Sequence, residues 1–257
     1  MLYTTKIFND NSTEWVVFVH GAGGSSAVWY KQVKPFSEKF NVLLVDLRGH
    51  GQSKLKSESK KYSFKLIAND ILVTLKAHSI DTAHFVGVSL GSIIIKQVYS
   101  LEPKIVKSMV FAGAVTELNF KSRLLLRIAR IFNSILPYMV LYKIFAGIMM
   151  PKKNHQKSRK LFVQEAKKLM DNEFKRWFKL TARLTSYLSE LEKGKSIIPK
   201  LYIMGGEDHL FLAPVKKIVE NDCYSKLSIV ANCGHVVNIE NPVVFNQLSI
   251  EFIQKHY

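Results

Sequence analysis

Residues 85–92 read FVGVSLGS, a serine with glycine two places before it and two places after it. A free serine hydroxyl is a weak nucleophile and acts only beside a base that an acid orients. Downstream the chain supplies both. Asp208 stands in MGGEDHL (204–210) and His235 in NCGHVVNIENP (232–242). The glycine spacing G-x-S-x-G, followed by an acid and then a histidine, is the order expected of a serine that attacks acyl groups from a sharp strand-to-helix turn. Gly87 and Gly91 are expected to leave room for that turn, where any Cβ would meet neighbouring backbone.

Of the four histidines after Ser89, His155 falls in a helical region and His256 is next to last. His209 adjoins Asp208, so its side chain is expected to point elsewhere. His235 follows a strand candidate and is the expected base. For the acid, Asp208 is preferred over its neighbour Glu207 and over Glu117, which follows an earlier strand. An acyl-transfer site also needs donors for the developing oxyanion. The backbone N–H of Leu90, next to the serine, is one expected donor. The loop HGAGGSSAVW (20–29) offers the other at Ala22, with His20 bracing the loop.

These residues need a scaffold that brings distant loops to one edge. Apolar runs of strand length occur at 15–19, 42–45, 84–88, 105–111, 201–204 and 227–231, with a further edge-strand candidate at 2–8. Such continuous runs suit strands buried on both faces of a parallel sheet. Helical segments are expected near 27–39, 64–79, 90–101, 212–221 and 242–255, so the alternation predicts an α/β fold. Ser89, Asp208 and His235 all follow strands and share an edge. Between about 116 and 195 the strands stop and the pattern is helical. The predicted organisation is a core of residues 1–115 and 196–257 with a cap at 116–195, outside the strand ends where ligands bind.

The chain has 257 residues and a net charge of +17, with 47% hydrophobic residues. Residues 117–195 hold 18 of the basic and 6 of the acidic residues, and six of the seven arginines. Arg123, Arg127 and Arg130 lie at i, i+4, i+7 on one helix face, with Leu124, Leu125, Ile128, Phe132 and Ile135 assigned to the other. Two readings stay open. The apolar side packs on the core and lines a pocket while the basic side is solvated, or the cap lies against an anionic lipid surface. No recognition motif for nucleic acid is present, and none is expected as partner. The start MLYTTKIFND shows no signal-peptide pattern, and the longest apolar stretch, 135–150, contains Pro137 and Lys143. Two cysteines, Cys223 and Cys233, fit a reducing compartment and have no metal-type spacing, so a cytoplasmic protein without a metal site is expected.

The set HGAGG (20–24), DLRGHGQS (46–53), GVSLGS (87–92), GGED (205–208) and CGH (233–235) resembles the α/β-hydrolase superfamily in its capped, esterase-like serine hydrolase branch. The resemblance covers all but the cap. It implies an eight-stranded, mostly parallel sheet flanked by helices, a Ser–Asp–His triad of Ser89, Asp208 and His235, oxyanion donors at Ala22 and Leu90, and no cofactor. It also implies that Asp46 and Arg48 brace a loop. Ser92 departs from the glycine frequent at that place. A serine at the turn is unlike the carboxylate of relatives that open epoxides or remove halides. The expected activity is cleavage of a small-molecule carboxylic ester with an apolar acyl group. A thioesterase, a lactonase or a C–C bond hydrolase is the alternative, and a non-catalytic small-molecule receptor is the rival of another class.

Overall fold

The computed structural model describes residues 1–53, 62–132, 136–181, 183–194 and 196–257. Seven strands form one sheet: β1 (Thr4–Ile7), β2 (Trp15–Val19), β3 (Asn41–Val45), β4 (Ala83–Val88), β5 (Val106–Ala112), β6 (Lys200–Gly205) and β7 (Ser225–Val230). Their order is β1-β3-β2-β4-β5-β6-β7. Only β1 runs antiparallel, Thr4 opposite Val45; the others are parallel. The helices are α1 (Val33–Ser37), α2 (Phe64–Ala77), α3 (Leu90–Leu101), α4 (Phe120–Phe132), α5 (Tyr138–Met149), α6 (Gln156–Ala166), α7 (Asp171–Thr181), α8 (Leu184–Lys193), α9 (Leu212–Glu220), α10 (Val237–Glu240) and α11 (Pro242–Gln254).

The buried runs behave as their composition demands. β3, β4 and β6 are buried along their whole length. Val, Ile and Phe on both faces leave no solvated side, so helices must cover both. The two edge strands are the exceptions: β1 has no buried residue, and Ile229 of β7 remains 48% exposed.

Two expectations are corrected. The described sheet has seven strands, not the eight implied by the family resemblance. All seven coincide with strand candidates read from the residues themselves. The single helix expected over 27–39 is instead a 3-10 turn, Ser26–Trp29, followed by the short α1. Pro35 is the cause. It has no N–H to donate and its ring clashes with the carbonyl four residues earlier, so it is tolerated only in a first turn.

Between β5 and β6 the chain inserts α4–α8. Ser122 is buried and Leu125, Leu126 and Ala129 of α4 line a cavity over the strand ends. Leu124, Ile128 and Phe132 do not join them. They are exposed, between the arginine stripe and the cavity-facing residues. The apolar arc of α4 is wider than the inner contact can cover. Ile135, assigned to the same arc, lies outside the described residues. No helix among the described residues is long and apolar enough to cross a membrane.

Candidate active site

Ser89 sits between β4 and α3 with φ +53°, in the left-handed region that costs a non-glycine residue energy. The turn is forced by its surroundings. A Cβ at Gly91 would lie 2.3 Å from the Val19 carbonyl oxygen, and one at Gly87 would lie 2.5 Å from Ile95. Only glycine at both places lets α3 start this close to β2. Ser92, where the resemblance departs from glycine, ties the turn down: its hydroxyl donates to the Ser89 carbonyl at 2.6 Å and accepts from the Val115 N–H at 3.1 Å.

The three side chains singled out in the sequence form one hydrogen-bonded chain. His235 Nε2 lies 2.9 Å from Ser89 Oγ, and His235 Nδ1 lies 2.8 Å from Asp208 Oδ2. The carboxylate can only accept, so Nδ1 carries the proton and the Nε2 lone pair faces the hydroxyl. Asp208 is held in turn: its Oδ1 accepts from the N–H groups of Leu210 (3.3 Å) and Phe211 (3.1 Å). Both Asp208 and His235 are buried, and the Phe211 ring packs against the imidazole at 5.1 Å. The other candidates lie elsewhere. Glu207 faces Lys152, Asn154 and His155, Glu117 and His209 are exposed, and His155 is buried against Glu207. These contacts lower the Glu207 carboxyl to about 2, Asn154 and Lys152 contributing most. Cys233 is a buried neighbour whose thiol burial pushes up to about 11, the carboxylates of Glu240 and Glu207 adding to it. A protonated thiol does not compete as a nucleophile.

Ala22 and Leu90 line the same cavity as Ser89. Leu90 opens α3, so its N–H is among those without an intrahelical acceptor. The Ala22 N–H likewise has no acceptor among the described residues. The loop around Ala22 is braced from beneath by two imidazoles. Gly23 N–H donates to His50 Nε2 at 3.0 Å, and Leu47 N–H donates to His20 Nε2 at 2.9 Å. Each Nδ1 then donates to a carbonyl, Arg48 for His50 and Gly21 for His20. Both rings are therefore neutral. Burial pushes His50 down to about 3, with His20 beside it adding, and burial lowers His20 as well. Asp46 accepts from Ser26 and Gln52 N–H, and Arg48 makes a two-pronged pair with Asp70.

Sequence reasoning missed the contribution of the insertion to this loop. Tyr142 of α5 donates to the Ala22 carbonyl at 2.8 Å. Burial, with Glu165 nearby, holds its phenol well above the ordinary value, so it stays a donor. Ser25 donates to the buried Glu165 of α6 at 2.6 Å. The HGAGG motif announces a loop that needs support, but nothing local names partners more than a hundred residues away.

The cavity has a volume of about 180 Å³ and runs from Ser89 beneath α4, α5 and α7. Phe145, Phe162, Phe174 and Phe178 line it with Leu and Ile. None of its described lining residues is Lys, Arg, Asp or Glu. No cluster of acidic, histidine and cysteine side chains among the described residues could hold a metal ion.

A mainly parallel sheet with a serine at a strained β4–α3 turn, hydrogen-bonded to a histidine and an aspartate on later loops, is the arrangement of the α/β-hydrolase fold, and the chain has that fold. A family description, alpha/beta hydrolase fold, matches residues 14–134. Among curated relatives, (E)-2-((N-methylformamido)methylene)succinate hydrolase of Acinetobacter baylyi is 32% identical over 113 residues, 44% of this chain. The match spans 42% of that protein's length. Two solved structures share the fold over nearly the whole chain. A hydrolase from Oleispira antarctica superposes with a TM-score of 0.82 at 19% identity, covering 98% of this chain and 94% of that one. The enol-lactonase from Burkholderia xenovorans does so with a TM-score of 0.76 at 18% identity, covering 98% and 96%. These relatives are hydrolases.

Proposed function

We propose that the protein is a serine hydrolase that cleaves carboxylic esters with an apolar acyl group through an acyl-enzyme. The observation that carries this reading is the chain Asp208–His235–Ser89, 2.8 and 2.9 Å per link, at the floor of a cavity without a charged side chain among its described lining. In the first half-reaction Ser89 Oγ bonds to the substrate carbonyl carbon while its proton passes to His235 Nε2. The carbonyl π electrons move onto oxygen, where the N–H groups of Ala22 and Leu90 receive the charge. Each such donor is typically worth about 2.7–4 kcal/mol. Asp208 holds the tautomer and stabilises the imidazolium. The intermediate collapses, the C–O bond to the leaving alcohol breaks, and His235 returns the proton to that alcohol. Water then repeats the sequence on the acyl-enzyme, its proton passing through His235 back to Ser89.

The helical insertion serves as the cap over this cavity, with residues 116–195 against a core of 1–115 and 196–257. Neutral, greasy acyl groups fit its lining better than anionic ones, because a carboxylate placed there would be desolvated without a cation to meet it. That consideration favours a simple ester over charged lactones or C–C bond substrates. We place the protein in the cytoplasm, in keeping with two free cysteines. The test is a panel of p-nitrophenyl esters of increasing chain length, with CoA thioesters and neutral lactones alongside and Ser89→Ala as the blank. Hydrolysis that rises with acyl length and vanishes in the blank supports the reading. Hydrolysis confined to thioesters or lactones replaces the substrate class, and activity retained by the blank removes the serine mechanism.

A further inference from the structure

The roof of the cavity has an outer surface that the proposed chemistry does not use. From Leu118 to Gln164 the chain contains ten Lys or Arg and no Asp or Glu. Within that stretch α4 exposes Phe120, Leu124 and Ile128, and α5 exposes Val140, Ile144 and Ile148. Phe120 is 72% and Ile144 50% exposed. Arg123, Arg127 and Arg130 lie among them and make no ion pair among the described residues. Both helices turn their other faces into the cavity, through Leu125, Ala129, Tyr142 and Phe145. The exposed side chains are therefore the back of the cavity wall.

Exposed large apolar side chains in such number mark a surface that something covers. The cover must take aliphatic groups out of water and also meet unpaired cations. A second copy of this chain would set one acid-free basic face against another, which like-charge repulsion opposes. Nucleic acid would satisfy the arginines but leave Leu124, Ile128 and Ile144 without an apolar partner. The interface of a negatively charged bilayer supplies both, headgroup phosphates for the arginines and acyl chains for the aliphatic residues.

We propose that the outer faces of α4 and α5 dock onto an anionic phospholipid bilayer. Docking places the cavity wall against the lipid, so an apolar substrate dissolved in the bilayer reaches the cavity without crossing bulk water. This last consequence rests on the hydrolase reading; the docking itself does not.

The experiment is co-sedimentation of the full chain with phosphatidylcholine vesicles, with and without phosphatidylglycerol, over a salt series. The protein should sediment with the phosphatidylglycerol vesicles at low salt, release as salt rises, and ignore phosphatidylcholine alone. Each basic residue at a surface of this kind is worth about fivefold in binding. Arg123→Gln with Arg127→Gln should therefore weaken binding at least about tenfold, and Ile128→Ser with Ile144→Ser should do likewise. All four sites are exposed, and far-UV circular dichroism checks that the variants are folded. Lys216→Gln with Lys226→Gln, on the opposite part of the sequence, should bind as wild type. Ser89→Ala should also bind as wild type, which separates docking from catalysis. No binding at low salt overturns the proposal, as does equal binding by the patch variants. A dimer by light scattering that the patch variants dissolve overturns it in favour of a second copy.

Discussion

The sheet and the helical insertion share one apolar core but are held by different mixtures of forces. In the sheet, Val16–Val19, β3, β4 and β6 bury apolar side chains on both faces, and the energy is burial and close packing spread over many residues. The insertion packs Met149, Met150, Trp177, Leu184 and Leu188 into the same apolar core and adds separate polar contacts. Tyr142 reaches the Ala22 carbonyl, Glu165 reaches Ser25, and Trp177 Nε1 donates to the Arg48 carbonyl at 3.0 Å. Tyr62 donates to Glu173, His155 to Glu207, and Ser158 to Glu240, whose other oxygen accepts from the Gly234 N–H. Most of these contacts end on, or next to, a loop that carries a proposed site residue: 20–25, 205–210 or 232–236. On the proposed function, these polar contacts of the insertion aim the loops of the site.

That contrast can be broken at several points. The largest effect should come from the site itself. His235→Gln is expected to lower kcat/KM on a p-nitrophenyl ester by at least about 10⁴-fold. Its urea midpoint should stay close to that of wild type. A core truncation should do the reverse. Phe111→Ala, at a fully buried position of β5, is expected to cost about 3–5 kcal/mol of unfolding free energy by urea titration. Residual folded protein should keep its ester kinetics.

The buried imidazoles give the next effect. His50 is held neutral with its folded value near 3, below the ordinary 6.5 of the unfolded chain. Between those values the unfolded state binds the extra proton, so stability falls as pH drops below about 6.5 and continues to fall toward 3. The slope from this group is at most about 1.4 kcal/mol per pH unit. Urea titrations at a series of pH values check it, and a flat profile from pH 6.5 to 4.5 would contradict the buried neutral assignment. The smallest effect is the sharpest on the comparison. Tyr142→Phe removes one hydrogen bond to the Ala22 carbonyl, so it should cost about 1 kcal/mol of stability. Because that bond aims the loop of a proposed oxyanion donor, kcat should fall with little change in KM. A change in KM alone would mean that Tyr142 only lines the cavity.

The same contrast explains what could be read from the residues. Strands buried on both faces announce themselves locally as runs such as WVVFV and NVLLV, and all seven lie where those runs are. The turn at Ser89 was legible because two glycines must flank it, and their close contacts with Val19 and Ile95 give the physical reason. The strand count implied by the resemblance was not, since it came from relatives and not from these residues. Pro35 was visible, and its power to end a helix should have divided 27–39. Tyr142, Glu165 and His50 were not legible as supports. Their partners lie far away in sequence, and a tyrosine in an apolar helix carries no mark of the carbonyl it will meet. The exposure of Leu124 and Ile128 was hidden for a related reason: periodicity defines an apolar arc but does not say how much of it a neighbour will cover.

The central claim is that Asp208 and His235 make the hydroxyl of Ser89 a nucleophile. Its most direct test is reaction of the folded protein with a fluorophosphonate, followed by peptide mass spectrometry. A single adduct on Ser89, lost in Ser89→Ala and strongly slowed in His235→Gln, is the predicted result. A folded protein that takes up no adduct, or takes it at another residue with Ser89 unmodified, would contradict the account.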